Sequence, residues 1–148
     1  WPLFWRADDS RRRVRHGRSM TDLIKLLTRN TAGRDLVVGD IHGAFGKLSH
    51  ALVRIGFDRD RDRLFSVGDL VDRGPDSHLY RDWLAHPWFH AVRGNHEEIA
   101  IQWAAGNCDY DMYAANGGLW NLSRTRDEQQ ETAATFSTLP ARQSGGHD

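Results

Sequence analysis

Leu36-Val37-Val38-Gly39-Asp40-Ile41-His42-Gly43 is the stretch on which the reading of this chain turns. Its three apolar residues, two of them β-branched, read as a short strand, and the polar run behind Gly39 breaks that pattern. Phe45, Leu48, Leu52 and Ile55 then recur at helical spacing, so the unit is strand, polar turn, helix. It occurs twice more. Leu64-Phe65-Ser66-Val67 runs into Gly68-Asp69-Leu70-Val71-Asp72-Arg73-Gly74, and Leu79, Trp83 and Leu84 follow the Gly74-Pro75 break as a second helix. Phe89-His90-Ala91-Val92 leads through Arg93 into Gly94-Asn95-His96-Glu97, with Ile99, Ala100 and Trp103 on the helix behind it. This alternation implies an α/β fold with helices flanking a sheet. Polar blocks just past strand ends stand where open α/β sheets place their ligands.

The residue types in those blocks belong to metal and phosphate chemistry. Asp40 and His42 flank one residue in a turn, so a carboxylate and an imidazole can converge on one cation, a donor set suited to manganese, iron or zinc. Asp69 follows an apolar strand and a glycine in the same way and can sit beside Asp40. Two adjacent carboxylates repel unless a cation or a proton lies between them. Asn95 adds a neutral amide oxygen, and Arg73 and Arg93 carry planar guanidinium groups matched to phosphate oxygens. Each block alone has an ordinary structural reading as a capping residue beside an exposed side chain. Three glycine-flanked blocks in order, each at a strand end, are not an accident of composition.

GDIHG, GDLVDRG and GNHE resemble the signature blocks of the phosphoprotein phosphatases within the calcineurin-like metallophosphoesterases. Pro87-Trp88-Phe89 through Glu97 is similar to the bacteriophage lambda-type branch of serine/threonine phosphatases, and the resemblance covers about Leu36 to Pro140. It implies a β-sandwich flanked by helices, of which only the N-terminal half is present. It also implies two divalent ions, manganese foremost, with iron or zinc as alternatives. Asp40, His42 and Asp69 would hold the first ion, and Asp69 would bridge to a second that Asn95 also binds. His96 would be the general acid oriented by Asp72, and Arg73 and Arg93 would clamp the phosphate. The implied activity is phosphoester hydrolysis by a metal-bridging hydroxide, on a phosphorylated protein or a small phosphoester. Symmetrical diadenosine tetraphosphate hydrolases resemble the same blocks and form the alternative. In the family two further histidines complete the second ion's site. Downstream this chain has only His147, in a glycine-rich tail, so the second site is expected to be incomplete, activity impaired, and an inactive metal-binding remnant is a third reading.

The rest of the chain adds exclusions. Lysine plus arginine equal aspartate plus glutamate at 20 each, so no global field favours nucleic acid or a membrane surface. No apolar run reaches the roughly 18 residues of a membrane span. The single cysteine, Cys108, has no histidine partner in the sequence around it and forms no internal disulfide, which fits a reducing, cytoplasmic compartment. Residues 1–19, with six arginines and no periodicity, read as a disordered basic leader, with Met20 a candidate natural start ahead of the Ser19-Met20-Thr21-Asp22 capping run. A partial domain is expected over residues 20–140 and a flexible tail over 141–148. Trp83, Trp88, Trp103 and Trp120 read as packing residues.

Overall fold

The computed structural model describes residues 25–141; the leader, the Met20 start, the Ser19 to Asp22 cap and His147 lie outside the described residues. Three strands, β1 (Asp35–Val38), β2 (Arg63–Ser66) and β3 (Phe89–Ala91), form one sheet in the order β1-β2-β3, and both pairings are parallel. Leu36 stands opposite Leu64, and Leu64 opposite Phe89, so one face of the sheet is built from the large apolar side chains. Parallel neighbours need crossover connections, and helices supply them. Helix α1 (Phe45–Arg54) joins β1 to β2, and α2 (Tyr80–Ala85) joins β2 to β3.

Phe45 and Leu52 lie two turns apart on α1 and are buried, with Leu48 partly covered between them; they meet Leu64, Trp83, Trp88 and Phe89 in one core. Phe45 stacks on Trp83 at 5.2 Å. Ile55 caps the helix rather than extending it and stays exposed. The opposite face of the sheet, carrying Val37, Phe65 and His90, is not covered to the same depth: Val37 is 73% exposed. Among the described residues this face is left open.

Four helices follow β3: α3 (Asn95–Ala104), α4 (Tyr110–Ala115), α5 (Leu119–Leu122) and α6 (Arg126–Ser137). Helix α6 packs along α3, where Ala100, Ala104 and Ala133 are buried and let the backbones approach. Trp103 Nε1 donates to Gln129 Oε1 at 2.8 Å across this contact. Thr125 caps α6, accepting from Glu128 N while the Glu128 carboxylate accepts from Thr125 N, which turns a stretch that reads as polar and solvated into a helix start. Past α6 the chain returns to the residues just beyond β3: Arg93 N donates to Pro140 O at 2.7 Å, and Arg93 forms an isolated parallel bridge with Ala141.

Candidate metal centre and acid–base pair

The loops past β1 and β2 are stitched together by backbone. Ile41 N and His42 N both donate to Asp69 O, at 3.0 and 2.9 Å, and Gly43 N donates to Leu70 O at 2.8 Å. This pairing places Asp40, His42 and Asp69 so that one ligand atom from each lies within 4.8 Å of the others. The charges differ in setting: Asp40 is exposed, His42 half-buried and Asp69 buried. His42 Nδ1 lies 3.1 Å from Val71 O, and a carbonyl can only accept, so the proton sits on Nδ1 and the Nε2 lone pair is left for a cation. That outer hydrogen bond is the arrangement that orients an imidazole ligand, and the mixed oxygen and nitrogen donor set fits a divalent metal.

The loop past β3 is fastened to the same point. His96 N donates to Asp69 Oδ1 at 2.9 Å, and a side chain on Gly94 would collide with Asp69 N and its carboxylate, so only glycine allows the approach. The Glu97 carboxylate is fully buried and accepts three backbone bonds, from Asp69 N and Gly94 N at 2.8 Å and from Leu70 N at 2.7 Å. Burial pushes the Glu97 carboxyl up, while those three N–H donors pull it down. Asn95, the first residue of α3, is exposed between Gly94 and His96.

His96 and Asp72 form the second part of the site. His96 Nδ1 donates to Asp72 Oδ2 at 2.8 Å, which leaves Nε2 available, and the His96 and His42 rings meet edge to face at 4.6 Å, so pair and metal group adjoin. Asp72 is fully buried, and burial pushes its carboxyl up against the opposing pull of the hydrogen bonds from Trp120 and His96. Arg73 is exposed, its backbone held by Gly117 O at 3.2 Å. Arg93 is buried, with Nε 3.4 Å from Glu98 Oε2. The backbone is driven into the left-handed region at His42 (φ 46°), Asp69 (54°), Asp72 (72°) and Arg73 (74°). Non-glycine residues there are uncommon and cluster where surrounding structure over-determines them.

Two participants had escaped the sequence. Glu97 stands in the third block, but its work on the backbone of the second block is set by tertiary contact. Trp120, read as packing, donates from Nε1 to Asp72 Oδ1 at 2.7 Å. No pattern links residues 72 and 120.

The calcineurin-like phosphoesterase family profile matches residues 34–146. The chain is 43% identical over 100 residues to serine/threonine-protein phosphatase 1 of Salmonella typhimurium, covering 68% of this chain and 46% of that one. It is 44% identical over 95 residues to serine/threonine-protein phosphatase 2 of Escherichia coli, covering 64% and 43%. A symmetrical bis(5'-nucleosyl)-tetraphosphatase of Shewanella oneidensis is 39% identical over 82 residues, covering 55% of this chain and 26% of its own. A solved structure provisionally described as a diadenosine tetraphosphatase superposes with a TM-score of 0.56 at 29% identity, over 76% of this chain and 46% of that one. The chain thus spans about half the length or less of these curated relatives. With its metallophosphoesterase fold, parallel sheet and matched profile, the chain belongs to the calcineurin-like phosphoesterase family.

Proposed function

We propose that this chain carries the catalytic half of a serine/threonine protein phosphatase, hydrolysing phosphate monoesters with divalent metals. The observation that carries the reading is the Asp40, His42 and Asp69 donor group standing against the Asp72–His96 pair. In this reading Asp40, His42 and Asp69 hold the first ion, and Asp69 with Asn95 faces a second. When bound, the ions, of which manganese suits the donor set, would supply the nucleophile at neutral pH and neutralise charge developing on the phosphoryl group. His96, its Nδ1–H held by Asp72, gives a proton from Nε2 to the leaving oxygen. Arg73, exposed beside the pair, and Arg93, whose Nε also meets Glu98, clamp the phosphate oxygens in this reading. The domain so read runs over residues 20–140, and the lone Cys108 accords with a cytoplasmic placement.

The higher identity to the two bacterial protein phosphatases favours a phosphoprotein over a dinucleotide. The tetraphosphatase relatives and the solved structure support the second reading, a symmetrical diadenosine tetraphosphate hydrolase. Turnover of a phosphoserine peptide, p-nitrophenyl phosphate and diadenosine tetraphosphate with manganese separates the two. Peptide turnover is expected to dominate. Dominant tetraphosphate cleavage overturns the substrate assignment, and no turnover of any ester with metal still bound leaves an inactive metal-binding remnant. In calorimetric titration with manganese, Asp69→Asn should weaken binding at least about tenfold, since this carboxylate lies within 4.8 Å of the Asp40 and His42 donors. An unchanged isotherm would remove the metal assignment.

A further inference from the structure

Asp72 is held from both sides. Its buried carboxylate receives His96 Nδ1–H on Oδ2 at 2.8 Å and the indole N–H of Trp120 on Oδ1 at 2.7 Å. Its own backbone stands at φ 72° and donates to Ser77 Oγ at 3.0 Å. Two donors on two different oxygens fix the carboxylate plane, whereas one alone would let it swing about the bond to His96. The indole is itself immobilised. Tyr80 meets its ring edge to face at 5.9 Å, and the Arg124 guanidinium lies 5.6 Å from its centre. Arg124 is tied to Thr132 Oγ1 at 2.7 Å and to Asn121 Oδ1 at 3.3 Å. The turn that precedes α5 also holds Arg73, because Gly117 O accepts its backbone N–H and a side chain at Gly117 would strike Arg73. One short segment, residues 117–120, therefore touches both the acid–base pair and the residue beside it.

The donor's chemistry matters. Tryptophan offers one N–H, no acceptor and no charge. It orients Asp72 without neutralising the negative charge that stabilises a protonated His96. A lysine or arginine in its place would form an ion pair with Asp72 and compete for that charge. We propose that Trp120 is a positioning residue: through Asp72 it holds His96 with Nε2 toward the leaving oxygen. This rests on the hydrolase reading above for its consequence, though not for its geometry.

The test is Trp120→Phe, which keeps an aromatic ring beside Tyr80 and Arg124 and removes the donor along with part of the indole. In the manganese-loaded protein, kcat for a phosphoserine peptide, whose alkoxide leaves poorly without a proton, should fall on the order of tenfold to a hundredfold. KM should stay within about twofold, and kcat for 2,4-dinitrophenyl phosphate, whose leaving group needs no proton, should change less than about threefold. A loss equal for both esters, or carried by KM, means that Trp120 only packs. A second readout needs no turnover. By NMR of the metal-free protein, the His96 Nδ1–H proton should resonate far downfield and broaden away in Trp120→Phe while the rest of the spectrum persists. If that proton is as sharp in the variant as in the original protein, the proposal fails. If the original protein hydrolyses neither ester, the hydrolase reading falls, and the His96 signal still decides the role of Trp120.

Discussion

Glu97 shows how much one side chain organises at the residue scale. Its two oxygens accept from Asp69 N, Gly94 N and Leu70 N, so a single buried carboxylate gathers backbone from two strand-end loops. Glu97→Gln keeps the shape and loses one acceptor. In either orientation of the amide, at least one backbone N–H faces an NH2 group. The expected cost is about 1–3 kcal/mol by urea denaturation, and a variant as stable as the original would show that the three bonds are dispensable. The positive φ at His42, Asp69, Asp72 and Arg73 is held by backbone bonds of the same kind, Asp69 N to Glu97, His42 N to Asp69 O, Asp72 N to Ser77 Oγ and Arg73 N to Gly117 O. Asp40, His42, Asp69 and His96 were all legible as candidate site residues from their place behind apolar strands. The strain, and Glu97's part in bearing it, were not, because backbone torsions in such loops follow from contacts between blocks.

At the element scale the three strand-turn-helix units read clearly, as hydrophobic periodicity changes from the strand's to the helix's at each glycine block. Beyond Gly106 the hydrophobic period is weak. Helix α6 carries Gln129, Thr132, Ala133 and Phe136 inward, a face too polar for its burial to be visible as a stripe. Partners elsewhere make that burial acceptable: Gln129 accepts from Trp103 and donates to Asn121 O and Arg124 O, and Thr132 Oγ1 pairs with Tyr80 OH. The start of the helix is fixed by its capping box. Thr125→Ala should destabilise the protein by about 1 kcal/mol, seen as a lowered midpoint in urea, because Glu128 N loses its acceptor at the helix start. No loss would mean that α6 is held by packing on α3 alone.

For the whole molecule, the open face of the sheet has a titratable group of its own. His90 stacks on Phe65 at 5.1 Å, and its Nδ1 lies 3.4 Å from Lys25 Nζ, an ammonium that can only donate. Burial, with the positive charges of Lys25 and Arg63 and against the pull of Asp35, brings the His90 imidazole down from 6.5 to about 4. A base depressed by folding contributes stability that is complete above its ordinary value and is lost as pH falls from 6.5 toward 4. After allowance for solvent screening at this half-buried ring, the loss should be on the order of 1 kcal/mol. His90→Phe should keep the stack and flatten that dependence. The same acid slope in the variant would place its origin elsewhere.

Composition, the three glycine-flanked blocks and the change of period at each were enough for the α/β class, for the family and for the candidate metal-binding group of Asp40, His42 and Asp69. They suffice because strand-end chemistry is local: each polar block is positioned by the strand just before it. Tertiary structure decided what lies between the blocks. It brought Asp69 under the Glu97 clamp and put Trp120 against Asp72. It also covered one face of the sheet with helices while Val37 on the other stayed open. Those contacts join residues far apart in the chain through hydrogen bonds and burial, which leave no periodic trace in a sequence.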